Sequence, residues 1–86
     1  MSRMWQRSPY VLIIDKKKNH IRSMLNGREY LLDNDDKIIW DMCAQPVDET
    51  WLIKQFGSKR MNALIHNTLL LQANKLYKYT NIKVIE

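Results

Sequence analysis

The amino-acid sequence predicts an α+β domain in which a three-stranded antiparallel meander is followed by three helices. Three observations lead there. Asn26-Gly27 lies between two runs that alternate apolar and polar residues. That is the strongest short-range hairpin signal, because both central residues of a type I′ turn need positive φ. Beyond Leu32 the apolar period changes from two to about three and a half, the change from strand to helix. Candidate helix caps at Asp33, Asp48 and Ser58 are then separated by Pro46 and Gly57, residues that end helices.

The first strand is read from "YVLIID", residues 10–15, a short run rich in β-branched and aromatic side chains that suits a buried strand. "KKKN" is a charged turn. "HIRSML", residues 20–25, alternates, with Ile21, Ser23 and Leu25 on one face and Arg22 and Met24 on the other. A two-residue turn at Asn26-Gly27 places the third strand at residues 28–32 and sets its register: Leu25 faces Arg28, Ser23 faces Tyr30, Ile21 faces Leu32, Met24 faces Glu29 and Arg22 faces Leu31.

"DNDDK" opens the first helix. Asp33 or Asn34 is its cap, and Asp35 and Asp36 complement the positive end of its dipole. Ile38, Ile39, Met42 and Cys43 form its buried stripe, with Trp40 at the margin, and Pro46 closes it. Asp48 caps the second helix, where Val47 and Leu52 have the spacing of a hydrophobic staple. Leu52, Ile53 and Phe56 point inward, and Gly57 ends the helix. Ser58 caps a longer third helix with Met61, Leu64, Ile65, Thr68, Leu69 and Leu76 at helical spacing. "NKLYKYT" frays into a short extended end. Residues 1–8 are expected to form a flexible arm, residues 9–80 a single domain and residues 81–86 a tail. Trp5, in the arm, is read either as an interface side chain or as one folded back onto the sheet.

The 86 residues make one domain with a modest core. No apolar run approaches the ~20 residues that span a bilayer, and the basic start has no apolar segment behind it, so neither a membrane span nor a secretory signal is expected. Cys43 is the only cysteine, which leans towards a reducing, cytoplasmic setting. A net charge of +5 suits nucleic acid, acidic lipid or an acidic peptide as partner, and equally suits simple solubility.

Chemistry is sparse. His20, His66 and Cys43 have no metal-ligand spacing, and Cys43 on an apolar stripe is read as a buried, inert thiol. Asp33, Asp35 and Asp36 are accounted for by the helix start. Gly27 and Gly57, the only two glycines, are both used by turns, so no phosphate-cradling loop is built. The chain is expected to be no enzyme on its own and to carry no cofactor or metal.

Two binding modes remain. "DETWLIKQFGSKRMNALIHNTL" has the outline of a helix-turn-helix with Gly57 in the turn, which places Lys59, Arg60 and Asn62 where a recognition helix meets DNA. This winged-helix-like reading makes the chain a small DNA-binding regulator, although the basic residues are dispersed and phosphate binding needs several together. The other mode uses the sheet. The third strand lies at an edge, and an exposed edge can accept an extended peptide as an added strand. Tyr30 and Leu31 on the strand, with Met61, Leu64, Ile65 and Thr68 on the third helix, are the candidates to line such a groove. Arg28, Lys59 and Arg60 would rim one end.

"GREYLLDNDDKIIWDMC" resembles the region of PqqD-like proteins, the recognition elements for precursors of ribosomally made, modified peptides (RiPPs), where a strand ending in Leu-Asn or Leu-Asp opens a helix containing "IW". "PVDETWLIKQFG" is similar to the family's second helix and "MNALIHNTLLLQANKLY" to its third, so the resemblance covers about residues 10–79. The chain departs from the pattern at "AQP", where an Asp-Gly turn is common, and at "NK", where a glycine is common. The resemblance implies a stand-alone element that binds the leader segment of a precursor peptide and delivers it to a maturation enzyme in trans. Its groove would comprise Arg28, Glu29, Tyr30, Leu31 and Leu32 with the face Met61, Leu64, Ile65 and Thr68.

Overall fold

The computed structural model describes residues 3–75 and is α+β: six strands in two antiparallel sheets with three helices. β2 (Val11–Asp15), β3 (His20–Ser23) and β4 (Glu29–Leu31) make the expected meander in the order β2-β3-β4. Its hairpin differs from expectation. Ile21 faces Tyr30 and Arg22 faces Glu29, so β4 is slipped by two residues from the predicted register. Met24 to Gly27 now form the loop, closed by the Gly27 amide on the Ser23 carbonyl at 2.7 Å, with Gly27 at φ 74°. A two-residue slip keeps every side chain on its predicted face, whereas a one-residue slip would invert the sheet. Ile21 and Ser23 are therefore buried as expected, and Leu32 just past β4 is buried with them.

β2 is not the buried strand its composition suggests. Leu12, Ile13 and Ile14 are 53%, 51% and 44% exposed. It is one of the two outer strands of the meander, and its pairing with β3 has a register irregularity between Ile13 and Asp15.

α1 (Asn34–Met42) begins at Asp33, whose carboxylate accepts from the Asp36 amide. Ile39, Trp40 and Cys43 are its buried positions, while Ile38, expected inside, is half exposed. α2 (Glu49–Phe56) starts at the Asp48 cap and stops at Gly57, φ 91°. Leu52 is fully buried and Phe56 partly so, but Ile53 lies at the surface. α3 (Ser58–His66) has Gly57 at its cap position and no side-chain cap; Ser58 already lies within the helix.

The largest correction is a second sheet, β5-β1-β6, which the sequence does not announce. β1 (Met4–Arg7) comes from the presumed arm and runs down its centre, flanked by β5 (Val47–Asp48) and β6 (Leu70–Gln72). α3 is correspondingly short. The Leu69 amide reaches the Leu64 carbonyl and the Thr68 amide the Ile65 carbonyl, both at 3.0 Å, with Thr68 at φ 61°. These crossed bonds are a Schellman motif, here built on threonine where glycine is usual. The Thr68 hydroxyl donates to the Asn67 carbonyl and bonds the buried Ser23 hydroxyl at 2.7 Å, which holds the left-handed residue in place. Leu69, Leu70 and Leu71 are all buried, so both faces of β6 are covered. Periodicity alone does not separate such a run from a buried helical segment. Leu76, the extended end and the tail over 81–86 lie outside the described residues.

One core joins the two sheets and the helices. Trp5, Ile21, Leu32, Ile39, Trp40, Cys43, Leu52, Met61, Leu64, Leu69 and Leu70 form a continuous buried cluster. Trp5, 6% exposed, donates its indole N–H to Glu49 at 2.8 Å. The Arg7 amide donates to the Cys43 carbonyl and the Ser8 amide to the Leu69 carbonyl, further ties between the N-terminal strand and the rest of the fold.

Candidate peptide-docking edge

β4 is one of the two outer strands of the meander, and the segments flanking it bond to the two ends of α3. At the hairpin end, Asn26 donates through Nδ2 to the Tyr30 hydroxyl at 2.8 Å and to the Asn67 carbonyl, just past α3, at 3.2 Å. At the other end Arg60, in the first turn of α3, donates to Asp33 and Asp36 at 2.8 and 2.7 Å and lies 3.8 Å from Asp35. The Arg60 hydrogen bond holds the Asp33 carboxyl below the usual carboxylate range, and the two bonded carboxylates strengthen the guanidinium's hold on its proton.

Hydrogen-bond parity shows which backbone groups of β4 turn away from β3. The Ser23 amide donates to the Arg28 carbonyl and the Leu32 amide to the Asn19 carbonyl. Positions 28, 30 and 32 thus turn their backbone groups towards β3. In an antiparallel ladder the intervening residues turn theirs away. The N–H and C=O of Glu29 and Leu31 therefore point outward, and no described residue pairs with them. Leu31 is also the most exposed large apolar side chain among the described residues, at 69%. Glu29 is held on the outer face by His20 at 2.8 Å and Arg22 at 3.0 Å.

Only part of the predicted site meets at this edge. Arg28, Glu29 and Leu31 are exposed there, with Tyr30 half-buried above the hairpin. Leu32 is buried, and Met61 and Leu64, predicted to wall a groove, are 0% and 3% exposed in the core. The α3 positions that face inward are needed to close a core this small, so they do not serve as groove walls. Ile65 packs against the core and Thr68 is the left-handed residue just past the end of α3. Lys59 remains exposed, with no ion pair among the described residues. Beyond the end of β4 a concavity of about 450 Å³ opens beside Asp36, Phe56, Lys59, Arg60 and Ala63. The Asn26–Asn67 contact escapes sequence reading, because it joins residues 41 positions apart. The sequence accounts for Asp33 as a helix cap and for Asp35 and Asp36 as a dipole complement, and does not show their contact with Arg60.

The helix-turn-helix outline is present as α2, Gly57 and α3. Lys59 and Asn62 are exposed on α3, but Arg60 is occupied by the acidic start of α1. Among the described residues no cluster of His, Cys, Asp or Glu is arranged to hold a metal, and no helix is long and apolar enough to cross a membrane. Cys43 is fully buried, and burial pushes its thiol up to about 11.

Compared with protein-family models, curated proteins and solved structures, the chain has no match in any of the three.

Proposed function

We propose that this protein is a peptide-binding module that accepts an extended segment as an added strand on β4. In the reading suggested by its resemblance to PqqD-like elements, the segment is the leader of a ribosomally made precursor. The module acts by binding alone, without metal or cofactor, and presents the leader to a maturation enzyme in trans in the cytoplasm. The observation that carries the proposal is the pair of outward N–H and C=O groups at Glu29 and Leu31, beside the exposed Leu31 side chain. Backbone pairing supplies affinity in this mode, and alternate side chains supply selection. Leu31, Arg28 and Lys59 are the side chains positioned to read the incoming strand; Met61 and Leu64 support it from beneath.

The alternative, a DNA-binding regulator, draws on the exposed Lys59 and Asn62. It is weakened by the acidic side chains that surround Arg60, because phosphates approaching α3 would meet Asp33 and Asp35 as well.

The test is selection from a displayed library of linear peptides, followed by titration of the isotope-labelled protein. Bound peptide should move the amide signals of Glu29 and Leu31 and protect them from exchange, with little dependence on salt. Binders whose shifts map to Lys59 and Asn62 with duplex DNA, or the absence of any enriched peptide, would overturn the proposal.

A further inference from the structure

The hairpin tip holds the one asparagine of the chain that is followed by glycine, Asn26-Gly27. That pair is chemically labile. Gly27 has no Cβ to shield its nitrogen or restrict its backbone, so the nitrogen can bond to the side-chain amide carbon of Asn26. In that reaction the Gly27 N–H gives its proton to solvent, a bond forms between the nitrogen and Cγ, and the Cγ–Nδ2 bond breaks to release ammonia. Water then opens the five-membered imide at either carbonyl, leaving aspartate or isoaspartate. The net exchange is water for ammonia, so water is the only co-reactant.

The fold keeps the reacting groups occupied. The Gly27 N–H donates to the Ser23 carbonyl at 2.7 Å. Nδ2 of Asn26 donates to the Tyr30 hydroxyl at 2.8 Å and to the Asn67 carbonyl at 3.2 Å, which uses both of its hydrogens. Oδ1 accepts from the Arg28 amide at 2.8 Å, the Asx-turn arrangement. Ring closure consumes the Gly27 proton and expels Nδ2, so three of these four bonds must be given up. Ser23 is itself buried and bonded to Thr68, just past α3. Asn26 and Gly27 are nevertheless exposed to water. Hydrogen bonding, and not the exclusion of water, holds the reaction off.

The product cannot restore the joint. A carboxylate at position 26 has no N–H to offer Asn67, the C-terminal cap residue of α3, and it brings negative charge to the negative end of the helix dipole. Isoaspartate also lengthens the backbone of the loop between Ser23 and Arg28. We infer that Asn26-Gly27 is a self-modification site, held unreactive while the hairpin is fastened to α3, whose deamidation unfastens the two irreversibly. Local opening of the hairpin sets the rate. The site needs no ligand and stands whether or not β4 accepts a peptide.

The experiment incubates full-length protein at mildly alkaline pH, folded and in urea. Each asparagine is followed by peptide mass mapping, with chromatographic separation of aspartate from isoaspartate. In urea Asn26 should convert ahead of every other asparagine, giving both products. In the folded protein its conversion should be at least about tenfold slower, because only the locally opened fraction reacts. Tyr30→Phe keeps the ring and removes one acceptor of Nδ2. It should speed conversion in the folded protein and leave the rate in urea unchanged. Asn26→Asp, which supplies the aspartate product directly, should raise amide hydrogen exchange at Gly27, Asn67 and Thr68 while leaving the amides of α1 and α2 as they are. Equal rates folded and in urea, another asparagine reacting first in urea, a folded rate indifferent to Tyr30→Phe, or unchanged exchange in Asn26→Asp would each overturn the inference.

Discussion

Arg60 is the residue through which α3 and the start of α1 are joined, and its acidic partners make that joint sensitive to pH. Asp33 titrates below its ordinary value of 3.8 because Arg60 donates to its ionised form. A carboxylate depressed in the folded state stabilises the fold above its unfolded pKa, and that contribution is lost as pH falls through the folded value. Arg60→Met should therefore lower the urea midpoint at neutral pH and flatten its decline on acidification, as measured by denaturation at a series of acidic pH values. Cys43 has the opposite sign. Its thiol is raised from 9.0 to about 11, so the stability gained from keeping it neutral is complete below the lower value and lost as pH rises through the upper. In the native protein at neutral pH the thiol should resist a disulfide reagent, reacting only as fast as the fold opens. Prompt labelling would contradict the buried site.

The elements carry the next level of explanation. β1 is central to its sheet, with Trp5 between Val47 and Gln72. Trp5→Ala should cost about 3–5 kcal/mol in chemical denaturation, the range for truncating a buried large aromatic residue. A flexible arm would show a change within about 0.5 kcal/mol. On β4, backbone parity separates two neighbouring substitutions. Leu31→Pro removes an amide that points away from β3, and proline is tolerated on such an edge. It should leave the fold intact and abolish strand addition, whereas Tyr30→Pro should break the ladder and unfold the hairpin. Comparing the two by circular dichroism and by peptide titration distinguishes a docking edge from an edge that is merely short. The hairpin register also belongs to this scale: the Asn26-Gly27 signal was read as a two-residue turn, but Gly27 closes a four-residue loop whose tip is fastened to α3 by Asn26.

At the scale of the molecule, the cations named among the described residues are not gathered into one nucleic-acid face. Lys16, Lys17 and Lys18 lie beside β2, Lys59 stands on α3, and Arg60 and Lys37 are engaged by aspartates. Duplex DNA should consequently bind only weakly and without sequence preference, and binding should disappear as salt rises to physiological levels. Steep, sequence-selective binding that survives this salt would favour the helix-turn-helix reading.

The meander order, the sheet faces, the helix starts at Asp33 and Asp48 and the stop at Gly57 were all legible in the chain, since each depends on residues within a few positions of one another. So was the exposed third strand. What needed the tertiary structure was every feature set by partners distant in sequence: β1 paired with β6, the Thr68 turn held by Ser23, and the seating of Met61 and Leu64 in the core. Local patterning tells a residue that it must be covered. Which part of the chain covers it depends on the closing of one small core, to which residues 4–7 contribute Trp5 and the central strand of the second sheet.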